Sequence, residues 1–186
     1  MSAGDSARVF YELAKRESVE RVRLRDNVLL LYIGAITTIF SFAMGREDLE
    51  ILLVIPFMTL GAVIIISQHN AVIGTLSAYC ASEIGPFLKS LTPPEDAPQW
   101  DTSKALKTYS GYAITMRTVG HSLLTLLPAC IALYLNRNHA TDSPFPNGPV
   151  WWFGALFLMI SGVVVWVVHG HRKRILRRLL KEQTPF

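Results

Sequence analysis

The stretch "IIISQHNAVIGTLSAYCASEIGPFL", residues 64–88, begins fully apolar and turns polar at Gln68, His69 and Asn70 without a helix-breaking residue at that point. Beyond the polar residues, apolar side chains recur at intervals of three and four, as on one face of an α-helix: Val72, Ile73, Leu76, Tyr79, Cys80, Ile84, Phe87 and Leu88. The pattern predicts that one helix leaves a membrane and continues into water over residues 68–91. Gly85 and Pro86 favour a helix end close to that position.

Four apolar blocks of about 17 to 19 residues occur in the 186-residue chain, each near the lower limit for crossing a hydrocarbon core of about 30 Å. They cover residues 28–44, 51–67, 119–135 and 150–168. None contains Asp, Glu, Lys or Arg, and the third contains His121. Four such blocks in so short a chain favour membrane spans over buried helices of a soluble protein. We therefore expect an all-α, polytopic membrane protein with four transmembrane helices.

The distribution of Lys and Arg predicts the orientation of these spans. Six basic residues precede the first span and six lie in the tail "HRKRILRRLLKE", whereas the first loop, "GREDLE", has one Arg against three acids. The loop between the third and fourth spans has only Arg137. Basic residues concentrate on the cytoplasmic side of membrane proteins. We therefore expect the protein to lie in the inner membrane of the cell, with both termini in the cytoplasm. No apolar segment typical of a signal peptide precedes Val28.

Each span is expected to continue into a helical cytosolic extension. The extensions cover residues 6–27, 68–91, 103–118 and 171–183, and a Pro-rich turn, "TPPEDAPQW", lies within residues 92–102. Each carries apolar residues that need a partner, such as Phe10, Leu13 and Ala14 on the first. The simplest partner is the set of other extensions, which predicts a cytosolic bundle. Between the first two spans, Gly45 is the expected helix C-cap and Asp48 the expected N-cap.

Polar residues at the cytoplasmic boundary are the first candidates for a functional site. Gln68, His69 and Asn70 lie on one helix, and Arg117 and His121 share a face of the returning helix at i,i+4 spacing. If these helices pack antiparallel, the five side chains converge. The favoured interpretation is hydrogen bonding between helices. The alternatives are a polar constriction at a pore mouth and, less favoured, a catalytic site.

Hydroxyl side chains in the first span form a second candidate set. Thr37, Thr38 and Ser41 would line a pore in one interpretation. In the favoured interpretation they close helix pairs or bond their own backbone.

The basic tail predicts contact with anionic lipid through Arg172, Lys173, Arg174, Arg177 and Arg178, at about 1 kcal/mol for each charge. No aromatic residues alternate with these charges, so binding of a nucleic acid is not expected.

Several classes of protein are disfavoured by what the sequence lacks. It contains no Walker A, GxGxxG, HExxH or GxSxG motif, so no enzyme activity and no cofactor are predicted. Secondary transport generally needs a carboxylate inside the membrane, and none lies in the apolar blocks. Cys80 and Cys130 lack the spacing of zinc ligands and are not expected to form a disulfide.

The layout of a charged helix running into "RDNVLLLYIGAITTIFSFA", a hairpin, long helices, two further spans and a basic tail resembles small membrane proteins of bacterial defence loci. It is similar to the membrane accessory proteins of type VI-B CRISPR systems. The resemblance implies oligomeric pores that permeabilise or depolarise the inner membrane. Some members carry an Arg and a His with four to six residues between them. Here Arg117 and His121 enclose only three residues, so no catalytic role is carried over.

Three hypotheses follow. The first is a homo-oligomeric pore or channel in which the cytosolic helices act as gate or sensor. The second is a non-conducting anchor or scaffold whose cytosolic bundle binds a partner protein. The third, less favoured, is a membrane-tethered nuclease that uses Arg117 and His121.

Overall fold

The computed structural model describes residues 3–91, 104–140 and 147–182, and all regular structure in these ranges is helical. The predicted all-α class is confirmed. The elements are α1 (Ala3–Arg46), a 3₁₀ helix (Leu49–Val54), α2 (Ile55–Tyr79), a π-helical turn (Cys80–Ile84), α3 (Gly85–Ser90), α4 (Lys104–Leu135), a second 3₁₀ turn (Arg137–Ala140) and α5 (Asn147–Glu182). The predicted Pro-rich turn at residues 92–102 lies outside the described residues.

Four helical stretches are long and apolar enough to cross a membrane, by length and composition. They are Ala3–Arg46, Leu49–Ser90, Thr115–Leu135 and Gly148–His171. Each includes the whole of one of the four apolar blocks. The chain therefore has the character of a multi-pass membrane protein.

The chain divides into two compact units. The span unit consists of residues 25–68 and 118–167. The extension unit consists, among the described residues, of residues 3–24, 69–91, 104–117 and 168–182. The division between Gln68 and His69 falls where the opening apolar run of the sequence becomes polar.

The turn after α1 is closed by a residue in the left-handed conformation. Glu47 has a φ of 57°, and the N–H groups of Glu47 and Asp48 donate hydrogen bonds of 3.3 and 3.1 Å to carbonyls in the last turn of α1. These are the two bonds of a Schellman motif. The Asp48 carboxylate accepts the N–H of the residue two positions later at 3.1 Å, so the predicted N-cap is confirmed. The predicted C-cap at Gly45 is wrong because the left-handed residue is Glu47.

A π-helical turn lets the second helical stretch continue past Pro86. The N–H of Gly85 bonds the carbonyl of Cys80, five residues earlier, and Pro86 lies in the first turn of α3. A proline lacks an N–H and its ring collides with the carbonyl four residues earlier. The π turn adds a residue just before the proline and relieves that collision. The helix end favoured by Gly85 and Pro86 is therefore wrong. Helix continues to Ser90, close to the end of the predicted extension over residues 68–91.

Within the extension unit, the predicted apolar stripes are buried to different extents. The stripe that begins on α2 is confirmed at its centre, where three residues are buried: Ile73, Cys80 and Ile84. On α1, Ala14 is buried as predicted, but Phe10 and Leu13 are 57% and 54% exposed, so their predicted packing is wrong.

The core of the span unit combines large apolar side chains with alanines: Tyr32, Ile36, Ala43, Leu52, Ile55, Ala62, Ala129 and Ala132. The alanines allow the helices to approach closely. Helix α5 joins through Gly154, where an added Cβ would lie 3.2 Å from Leu133 of α4 and 3.3 Å from Pro56 of α2. Leu158 of α5 also packs against this core, so all four spans contribute to the packing at the centre of the span unit.

Candidate functional site

The buried hydroxyls of the span unit connect three helices. The Tyr32 hydroxyl on α1 lies 2.7 Å from Thr59 Oγ1 on α2 and donates to the Thr125 carbonyl on α4 at 2.8 Å. Thr59 Oγ1 also lies 2.9 Å from the Ile55 carbonyl. The hydroxyls of Tyr32 and Thr59 each carry one proton, so two of these three contacts can be hydrogen bonds at any one time. We call Tyr32, Thr59 and Thr125 the hydroxyl node.

A second set of polar contacts closes the end of α4. Asn136 Nδ2 donates to the carbonyls of Leu49 at 2.8 Å and Ala132 at 2.9 Å. Trp151 Nε1 on α5 donates to the Leu133 carbonyl at 2.9 Å. Carbonyls in a last helical turn need such donors. These buried groups therefore hold the spans together and are not available to line a passage within one copy.

The predicted hydroxyls of the first span lie on the surface of the span unit. Thr37, Thr38 and Ser41 are all exposed. Thr37 Oγ1 donates to the Ile33 carbonyl and Thr38 Oγ1 to the Gly34 carbonyl, both at 2.9 Å. The predicted bonding to their own backbone is confirmed for both threonines. Their hydroxyl oxygens still have an acceptor lone pair at the surface.

These hydroxyls belong to a longer unpacked face of α1. Tyr32, Ile36 and Ala43 are buried on one side of the helix. Exposed residues recur on the other side at intervals of three and four, and we call them the outward α1 face: Asn27, Leu30, Leu31, Gly34, Thr37, Thr38 and Ser41. A Cβ built on Gly34 meets no atom within 4 Å.

The outward faces of α4 and α5 have a different chemistry. In the part of α4 that belongs to the span unit, four exposed side chains are bulky and apolar: Leu123, Leu124, Leu127 and Ile131. The same holds on α5: Phe153, Leu156, Met159 and Val163. Such faces suit contact with lipid chains. The small and hydroxylated part of the outward α1 face suits contact with water or with another helix.

The five boundary residues are divided between the two units. Gln68 is exposed and His121 partly buried in the span unit. In the extension unit, Arg117 is exposed and Asn70 and His69 are partly buried. The Nδ1 atom of His69 is buried without a hydrogen-bond partner among the described residues. The convergence of these five side chains stays a prediction, as does any catalytic use of Arg117 and His121.

The basic tail continues α5 as far as Glu182, and Arg174 is exposed. The side chains of Arg172, Lys173, Arg177 and Arg178 lie outside the described set. Their contact with anionic lipid stays a prediction.

Sequence reasoning missed the role of Arg25, which it counted only as one of the basic residues that set orientation. Arg25 is buried, and its guanidinium donates to Asp26 Oδ1 at 2.7 and 2.9 Å. The position of Arg25 on the helix could have predicted its burial. Tyr32 and Ile36 follow it at seven and eleven residues and therefore lie on the same side of the helix. The same register would have placed Asn27, Leu30, Leu31 and Gly34 with the outward hydroxyls.

Cys80 and Cys130 are free thiols, and the described residues include no group of three or more His, Cys, Asp or Glu side chains able to hold a metal ion. Comparisons with protein-family models, with curated proteins and with solved structures give no match. The resemblance to defence-associated membrane proteins therefore stays a prediction.

Proposed function

We propose that the chain is a homo-oligomeric membrane channel whose passage is lined by the outward α1 faces of several copies. The observation that carries the proposal is the exposure of Thr37, Thr38 and Ser41 on the side of α1 opposite the packed core. Hydroxyls at membrane depth gain little from lipid, whereas in a passage they hydrogen-bond water and permeating ions.

The passage has to lie between copies because the interior of the span unit is filled. Leu52, Ile55, Ala129 and Ala132 are completely buried at its centre. The buried Tyr32 hydroxyl is engaged in the node. A ring of copies places their hydroxyls around a common axis without disturbing this packing.

The orientation of this channel in the membrane follows from the distribution of charge. The excess of Lys and Arg in the N-terminal segment and in the tail favours an orientation with both termini in the cytoplasm and the tail against anionic lipid. The assignment to a bacterial inner membrane rests on the resemblance of layout. A role as a defence effector that depolarises the membrane rests on the resemblance of layout alone.

Thiol accessibility in a conducting preparation tests the lining. The protein with Cys80→Ala and Cys130→Ala is purified, and Thr37→Cys is added in one sample and Met159→Cys in another. Met159 is the matched control because it is an exposed residue on the apolar face of α5. Each sample is placed in liposomes, and ion flux is measured before and after a charged, water-soluble thiol reagent.

The proposal expects flux through both variants, and block by the reagent only at position 37. Absence of flux from folded, inserted protein across a membrane potential would contradict it. If the thiol reagent reduced flux equally at positions 37 and 159, the claim that the outward α1 face lines the passage would be contradicted.

A second candidate, the non-conducting anchor, is favoured by one observation. The first turns of α1, in the extension unit, expose Val9, Phe10 and Leu13. Exposed apolar clusters outside a membrane mark surfaces for other proteins. A photo-crosslinking amino acid at Leu13 in living cells tests this, with the exposed Glu12 as control. An adduct with a different protein from position 13, together with absent flux, would favour the anchor over the channel.

A further inference from the structure

We infer that Leu30 and Leu31 form a hydrophobic gate in the passage, an inference that rests on the proposed channel. Both side chains belong to the outward α1 face and are 67% and 74% exposed. Neither contributes to the buried core of the span unit. On a helix of 3.6 residues per turn they lie to either side of the line through Asn27 and Gly34.

The order of side chains along this face is polar, apolar and polar again. Asn27 precedes the leucines by about one turn, or 5 Å, and Thr37 follows them by about 10 Å. In a ring of copies, these positions become stacked rings of amides, leucines and hydroxyls. The leucine ring is then an apolar band between two hydrated levels.

Gly34 confines the constriction to the leucine level. It lies one turn beyond Leu30 and has no side chain, and an added Cβ would meet open space. The passage is therefore wider there than at the leucines. A narrow ring of leucine side chains expels water, and an ion that enters it loses hydration that no nearby dipole replaces. The band therefore limits the wild-type flux to what passes while the copies are apart.

The leucines also resemble ordinary lipid-facing residues, and the test has to separate the two roles. Met159 on α5 is the matched control because it is an apolar side chain that is 71% exposed. A polar substitution on a lipid face leaves flux unchanged. The same substitution in a hydrophobic gate wets it and opens the passage.

The experiment compares ion flux from liposomes containing the full-length wild-type protein, Leu31→Ser, Leu31→Met and Met159→Ser. The inference expects Leu31→Ser to raise flux by about tenfold, since wetting removes a barrier of at least the ~1.4 kcal/mol equivalent to that factor. Leu31→Met keeps the leucine ring apolar, so this variant should conduct like wild type. Met159→Ser should also conduct like wild type. If Leu31→Ser fails to insert, Leu31→Thr replaces it, because the same face already carries threonines at positions 37 and 38.

Equal flux from Leu31→Ser and Met159→Ser would overturn the gate, and block of Thr37→Cys by the thiol reagent would then leave the channel standing. Absence of flux from every variant, including Thr37→Cys, would overturn the channel itself.

Discussion

The hydroxyl oxygen of Tyr32 on α1 lies 2.7 Å from the hydroxyl oxygen of Thr59 on α2, in the middle of the packed spans. The same tyrosine donates to the Thr125 carbonyl on α4. One side chain thus connects three of the four spans and fixes which side of α1 faces the core. The opposite side, with its threonines and serine, is directed outward as a consequence.

Tyr32→Phe should lower the free energy of unfolding by about 0.5 to 1 kcal/mol, because it removes hydrogen bonds that are of modest strength inside membrane proteins. Titration of the purified protein from mild detergent into SDS measures the change. Thr59→Val and the double variant complete a cycle. Strictly additive effects would show that the two hydroxyls do not interact.

Asn136→Ala should destabilise the protein by about 1 to 3 kcal/mol, because it removes a buried amide that donates to the carbonyls of Leu49 and Ala132. Asn138→Ala is the matched control, since Asn138 is exposed nearby. Thermal unfolding in detergent measures both. An equal shift in the two melting temperatures would show that the Asn136 amide does not hold the 3₁₀ helix that begins at Leu49 against α4.

Gly154→Ala should destabilise the span unit by about 1 to 3 kcal/mol through overpacking, because the new methyl would press on Leu133 and Pro56. Gly162→Ala, also on α5, meets no atom within 4 Å and should be neutral or slightly stabilising through helix propensity. The comparison uses the same SDS titration. A neutral Gly154→Ala would mean that α5 does not pack closely against α2 and α4.

Arg25→Ala should lower the free energy of unfolding by about 0.5 to 3 kcal/mol, because it removes a buried side chain that packs in the span unit and bonds Asp26. Arg23→Ala, at an exposed position two residues earlier, should change stability by less than about 0.5 kcal/mol. If the two variants unfold at the same SDS concentration, Arg25 is not a structural residue.

The sequence predicts helices and spans here more reliably than it predicts the sides that helices present. Four long apolar blocks indicate four spans, and Asp48 indicates the start of the helix that it caps. Both signals lie in short, continuous stretches of sequence. The side of α1 that packs depends on residues far away in sequence, such as Thr59 and Thr125. The exposure of Phe10 was mispredicted for the same reason. The continuation of helix past Pro86 was mispredicted because the proline suggested a helix end, whereas a single added residue at Cys80–Ile84 accommodates it.

The candidate site shows the same limit. The hydroxyls Thr37, Thr38 and Ser41 were visible as polar residues in an apolar block, but the favoured interpretation of them was bonding within or between helices rather than the lining of a pore. Their exposure and the filled core behind them come only from the packed structure. Leu30 and Leu31 looked like any other span residues until their shared side with Gly34 was known.

The most direct test of the channel is ion flux from liposomes that contain the wild-type protein or the triple variant Thr37→Val, Thr38→Val, Ser41→Ala. All three side chains are exposed, so the variant should fold and insert like wild type. The account predicts measurable flux from wild type across a membrane potential and a clear reduction in the triple variant. No flux from correctly inserted wild type, or equal flux from both, would contradict a passage lined by the outward α1 face.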